Sequence, residues 1–160
     1  MLALNPNREM LDMQQRLLPP VVFLVCLLAA GSIAFLVPGP TLVPMPWNGI
    51  GLTLIVAGIF LLVAGSQRFT RSRTNINTFL DPNHLVTDGV FRLSRNPMYL
   101  GFALTLLGVC VGIGAATPFL AWLVFVLVCQ VWYIPFEEAR CEAVFGDEYR
   151  KYRSRTRRWL

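Results

Sequence analysis

No charged residue occurs between Leu17 and Gln67, and none between Asn96 and Phe136. Two tracts of that length limit the fold sharply. An apolar stretch of roughly 20 residues is long enough to cross a hydrocarbon core of about 30 Å. Inside that core every backbone N–H and C=O needs a partner within the chain, so helices are expected. Proline and glycine divide the two tracts into four segments. The first spans about 19–37, starting at Pro19-Pro20, where a missing N–H costs nothing, and ending at Pro38-Gly39-Pro40. The others span about 47–65, 97–115 and 118–134. GIGAAT between the last two is short, so they should form a tight antiparallel hairpin. Gly108 and Gly112 form a GxxxG pair that permits close helix contact, within the chain or between chains. The expected fold is all-α: a single polytopic membrane domain of about four transmembrane helices, followed by a helical tail.

Charge sets the orientation. Five Arg against two Asp lie in 67–95, and seven Lys/Arg against five Asp/Glu in 136–160, while the connections near 38–47 and 113–117 carry none. Basic residues stay on the cytoplasmic side, which places both termini and the 67–95 loop there. Only 14% of residues are charged, against roughly 25% in an average soluble domain, so the net charge of +5 is read as membrane flanking and not as a nucleic-acid surface. One histidine and four cysteines without ligand spacing predict no metal site. Residues 1–16, rich in Met and Leu among mixed charges, suit an interfacial helix or a frayed tail equally. Oligomeric state is open.

Against this apolar background one segment, NHLVTDGVFRLSRNPMYLG (83–101), is polar and turn-rich. Polar groups at a membrane edge are costly and default to function. Asp88-Gly89 supplies a turn. Asn96 is a good N-cap and Pro97 a good first helical residue, so the third helix should begin at the cassette with its N–H groups aimed into it. Such an end attracts anions, and Arg92, Arg95 and the Tyr99 hydroxyl stand beside it. Glu137 and Glu138 follow the fourth span, just past Pro135, where a bend or break is expected. Each carboxylate is able to pair with Arg92 or Arg95, or to bind a ligand's amine or hydroxyls. An anion-binding helix start, a carboxylate and aromatic groups at one membrane edge suit a zwitterionic cofactor. The tail should run as one helix to about Val144, break at Phe145-Gly146, and resume through 147–153.

LVTDGVFRLSRNPMYLG followed by EEARCEAVFGDEYRKYRSRTRRW resembles the isoprenylcysteine carboxyl methyltransferase and phospholipid methyltransferase superfamily, over residues 83–159. The resemblance implies S-adenosylmethionine as cofactor, held by the cassette and the tail. No strand followed by GxGxxG offers a soluble alternative. Carried over by position, cofactor contacts fall on Asn83, Leu85, Val86, Phe91, Asn96, Pro97, Met98, Tyr99 and Glu137, with His84 beside Asn83 as a further candidate. Arg95 and Glu138 are the candidate catalytic residues, in a site-shaping role; no general base is assigned. The family pattern has His at Asn83 and Asn96, Tyr at Phe91, and, in the prenylcysteine branch, a carboxylate-binding Arg at Tyr133. The implied function is a membrane methyltransferase acting on a lipophilic or small acceptor (carboxylate, thiol or amine) from within or beside membrane lipid. Sterol reductases share the hairpin and the FG-x-x-Y tail but bind NADPH. A membrane reductase and a non-enzymatic scaffold are therefore the alternative readings.

Overall fold

The computed structural model describes residues 18–71 and 84–160. Asn83 and the proposed interfacial segment 1–16 lie outside the described residues. The elements are α1 (Pro19–Leu36), α2 (Ile50–Arg71, entered through a 3-10 turn at Trp47–Gly49), a second 3-10 turn at Gly89–Arg92, α3 (Pro97–Ile113), α4 (Pro118–Val128), a π-helical turn (Cys129–Tyr133), α5 (Ile134–Phe145) and α6 (Asp147–Arg155). The protein is an all-α polytopic membrane protein. Three helical stretches, Pro19–Leu36, Trp47–Arg71 and Pro118–Phe145, are long and apolar enough to cross a membrane. The remaining expected span, α3, has 17 residues, at the lower limit for crossing.

The expected break at Pro135 is absent. Proline removes one N–H and its ring collides with the carbonyl four residues earlier, here that of Val131. The chain absorbs this by widening into a π turn immediately upstream, where the Ile134 N–H bonds Cys129 O, five residues back. Helix α4 therefore continues into α5 without interruption. The extra residue in the turn rotates everything downstream by about 100° relative to an uninterrupted α-helix. The later break falls at Gly146, whose φ of 54° lies in the left-handed region, and α6 starts at the next residue.

Helix α3 sits between two partners. Its residues Tyr99, Ala103, Leu106 and Cys110 recur at helical spacing and bury against Phe23, Cys26 and Ala30 of α1 and Ala121, Phe125, Cys129 and Tyr133 of the α4 stretch. Its opposite face carries Gly101 and Gly108 against Gly58 and Gly51 of α2, the most extensive helix pair among the described residues. A Cβ on Gly101 would stand 2.8 Å from Gly58 O. The glycine contact thus lies within the chain. The Gly108/Gly112 pair expected from GxxxG takes part, since a Cβ on Gly51 would meet Gly108 O and stand 2.7 Å from Gly112 N, and Gly58 against Gly101 extends the contact along α2; a Cβ added on Gly112 itself has nothing within 4 Å. Lipid gives apolar helices no solvent-driven reason to associate, so backbone approach over small residues supplies the adhesion. At the end remote from the cassette the two short connections pair. Leu42 and Val43 donate their N–H groups to Gly114 O, Ala116 N–H bonds Pro40 O, and the Thr117 hydroxyl donates to Val37 O at 2.6 Å.

Candidate functional site

At the cassette end, α3, α5, α6 and the start of α1 enclose a cavity of about 420 Å³. That volume falls within the usual range for small-molecule sites. His84, Leu85, Val86, Phe91, Arg95, Asn96, Pro97, Met98, Tyr99, Glu137 and Glu138 all line it. Arg92, expected beside them, points outward and is exposed.

The two adjacent carboxylates have different surroundings. Tyr99 donates its hydroxyl to Glu137 Oε1 at 2.8 Å, and its ring stacks on Tyr133 with centroids 6.0 Å apart. Glu138 is gripped by two arginines. Arg95 donates from Nε (3.1 Å) and Nη2 (2.7 Å) to Oε1, and Arg158 donates from Nη2 to Oε2 at 2.5 Å. Successive helix positions are about 100° apart, so one carboxylate faces α3 while its neighbour faces the tail.

Arg95 also organises the C-terminus. Its Nη1 donates to the carbonyls of Arg153 (3.1 Å) and Thr156 (2.5 Å), and its backbone N–H bonds Arg157 O at 2.9 Å. The Ser94 hydroxyl and the Asn96 Nδ2 both donate to Arg158 O, at 3.2 and 3.0 Å. Asn96 is therefore not the side-chain N-cap expected from Asn-Pro: no cap bond forms, and the amide is spent on the tail. Its own N–H is satisfied by Ser94 Oγ at 3.1 Å. The Tyr152 hydroxyl donates to Phe91 O at 2.6 Å, and Trp159 Nε1 to Gln130 Oε1 at 2.8 Å. The tail is thus bonded across the cassette from Phe91 to Asn96.

Several lining residues were not singled out from sequence. Tyr149 and Tyr152 are the tyrosines of the FG-x-x-Y-x-x-Y stretch, whose spacing puts both on one face of α6. Burial, reinforced at Tyr149 by the Glu138 carboxylate, pushes both phenols well above their ordinary range, so they act as neutral hydroxyls. Phe69, Phe102, Arg140, Cys141 and Phe145 complete the wall, together with Leu18, Pro19 and Pro20 from the start of α1. Nothing local marks these α1 residues, because their role depends on α1 packing beside α4. Arg158, the second partner of Glu138, looked from sequence like one more flanking cation.

The cavity combines a fixed carboxylate, a helix start, several aromatic faces and an apolar flank formed by membrane helices. Comparison with known proteins supplies the family. The phospholipid methyltransferase family matches residues 47–148, well over half of the 160-residue chain. The chain is 41% identical to an uncharacterized protein of Haemophilus influenzae over 63 residues, 39% of this chain and 100% of that one. It is 32% identical to protein-S-isoprenylcysteine O-methyltransferase B of Arabidopsis thaliana over 110 residues, 68% of this chain and 56% of the plant enzyme. With the protein-S-isoprenylcysteine O-methyltransferase of Schizosaccharomyces pombe it shares 38% identity over 74 residues, 44% of this chain and 30% of the yeast enzyme. The chain spans about half the length of the plant enzymes it matches, and no solved structure matches it significantly. The family match runs from the turn before α2 to the start of α6 and includes the cassette and Glu137-Glu138: the chain belongs to the phospholipid methyltransferase family.

Proposed function

We propose that the protein is an integral membrane methyltransferase that draws on S-adenosylmethionine and methylates a lipophilic or small acceptor. The observation that carries this reading is the convergence, in one cavity, of the α3 start and the Glu137 carboxylate that Tyr99 holds in place. The lining fits the cofactor group by group. Backbone N–H groups at the start of α3 suit a carboxylate. Glu137 suits an ammonium or a ribose diol. Phe69, Phe91, Phe145 and the tail tyrosines offer faces for a flat base and for a cationic sulfur. When bound, S-adenosylmethionine supplies an electrophilic methyl group.

The chain's own contribution is alignment and exclusion of water. Tyr99 fixes the orientation of Glu137. The Arg95–Glu138–Arg158 cluster ties the cassette, α5 and the tail into one wall, so Arg95 and Glu138 shape the site. Glu138, accepting from two guanidiniums, is an ionised acceptor and carries no proton to give. An acceptor that arrives as an anion needs no base; an amine must arrive neutral. The apolar flank from Leu18 to Pro20 and Phe102 suits an acceptor approaching from the bilayer. Basic charge in the 67–95 loop and the tail orients this end toward the cytoplasm.

Calorimetry on the purified protein tests the reading. Wild type is expected to bind S-adenosylmethionine and its demethylated product, and Glu137→Ala to bind both more weakly. Absence of binding at millimolar ligand overturns it.

A further inference from the structure

A second concavity, of about 380 Å³, lies outside the cavity wall, between the C-terminal half of α2 and the 3-10 turn at Gly89–Arg92. Phe60, Ala64, Gln67, Arg68 and Arg71 form one side, and Gly89, Val90 and Leu93 the other. The five α2 positions share one helical face, and Phe60 and Arg71 are about 16 Å apart along it. The lower half is apolar and open, with Phe60 64% and Leu93 66% exposed. The upper half is cationic.

Arg68 is held in place there. Its Nη1 bonds Asp88 Oδ2 at 2.5 Å, and its guanidinium lies over Gly89, where an added Cβ would stand 2.7 Å from Nε. Gly89 has φ 59°, which together with this contact explains why glycine occupies the position. One turn further on, Arg71 is exposed and has no acidic partner among the described residues. A prepositioned guanidinium, a second cation and an amide thus cap an apolar trough running down a membrane helix.

We propose that this groove binds an anionic phospholipid, with its phosphate headgroup at Arg68, Gln67 and Arg71 and an acyl chain along Ala64 and Phe60. Charge complementarity selects the headgroup, and the length of the trough reaches from headgroup depth into the hydrocarbon. The lipid is not the methyl acceptor, because the 3-10 turn separates the groove from the cavity: Val90 faces the groove while Phe91 lines the cavity and contacts Phe69 with centroids 5.1 Å apart. A lipid seated here braces the turn that forms the cavity wall. This site does not depend on the methyl-transfer reading.

Native mass spectrometry of the detergent-purified protein, with phosphatidylglycerol or phosphatidylcholine of equal chain length, tests it. Wild type is expected to retain phosphatidylglycerol in preference to phosphatidylcholine. Arg71→Gln, an exposed change, is expected to weaken retention roughly fivefold, the effect of about one cation at an anionic surface. Ala64→Trp, which fills the apolar half, is expected to reduce it as well, while Arg150→Gln on α6 leaves it unchanged. Equal retention of the two lipids, or wild-type retention by both groove variants, overturns the proposal. Displacement by glycerol phosphate at the same concentration as the full lipid also overturns it, since the groove would then recognise an anion alone.

Discussion

Replacing Glu138 by glutamine removes one charge from a cluster that has almost no water to take its place. The Glu138 side chain is 8% exposed and that of Arg95 10%, while Arg158 retains 29%. Glutamine keeps one acceptor oxygen but turns an NH2 group toward guanidinium donors, leaving Arg95 uncompensated. Breaking a buried pair by removing one partner costs about 3–5 kcal/mol. Arg158 is able to swing toward water, so the lower end, ~3 kcal/mol, is expected. For a chain of this size that corresponds to a fall of roughly 6–12 °C in melting temperature. Tryptophan fluorescence on purified protein in detergent reads it directly, because Trp159 bonds Gln130 in the segment that the cluster anchors. Arg158→Ala should cost less, and the double variant should cost less than the sum, since the two residues share one interaction. A Glu138→Gln protein that melts like wild type refutes the reasoning. If that protein also loses cofactor binding, Glu138 contacts the ligand directly and is not a wall residue.

Other perturbations separate helix packing from site chemistry. Gly101→Ala forces a Cβ to within 2.8 Å of Gly58 O and should cost about 1–3 kcal/mol, whereas Gly112→Ala, with nothing within 4 Å, should be neutral; thermal melts of the pair decide it. Tyr99→Phe removes the donor to Glu137 and should weaken S-adenosylmethionine binding roughly fivefold in calorimetry without lowering the melting temperature by more than a few degrees. Tyr149 and Tyr152 have folded pKa values raised above the ordinary ~10 of a phenol, so the stability they contribute is fully present below that pH and is lost as pH rises through the higher folded values. Their tyrosinate absorbance should therefore appear only together with alkaline unfolding, and ionisation of all four tyrosines in native protein near pH ~10 would contradict this.

Local features were legible where a residue's own backbone chemistry decides the outcome. Pro19 and Pro97 start helices, Gly146 divides α5 from α6, and the charge-free tracts became apolar helices. Pro135 and Asn96 departed from the same rules because a neighbour intervened. The π turn relieved the strain of the proline, and the Asn96 amide is oriented by its Nδ2 donation to Arg158 O, with no cap bond from Oδ1 to α3. The candidate site residues within the described segments share one cavity, yet the residues at the start of α1 that complete it, and Arg158 that holds Glu138, carry no local mark.

By itself the sequence determined that this chain is helical and lipid-embedded, since continuous apolar runs of about 20 residues match a membrane-spanning helix, which satisfies its own backbone. It also determined where polar chemistry would gather. Only the tertiary structure decided which carboxylate serves which partner. One extra residue in the turn before Pro135 sets the rotation of α5, turning Glu137 toward Tyr99 and Glu138 toward Arg95 and Arg158. The physical reason is that periodicity fixes the faces of one helix relative to each other. The phase of one helix against another is set by packing, here by glycines on α2 and α3 and by a tail whose carbonyls Arg95 gathers.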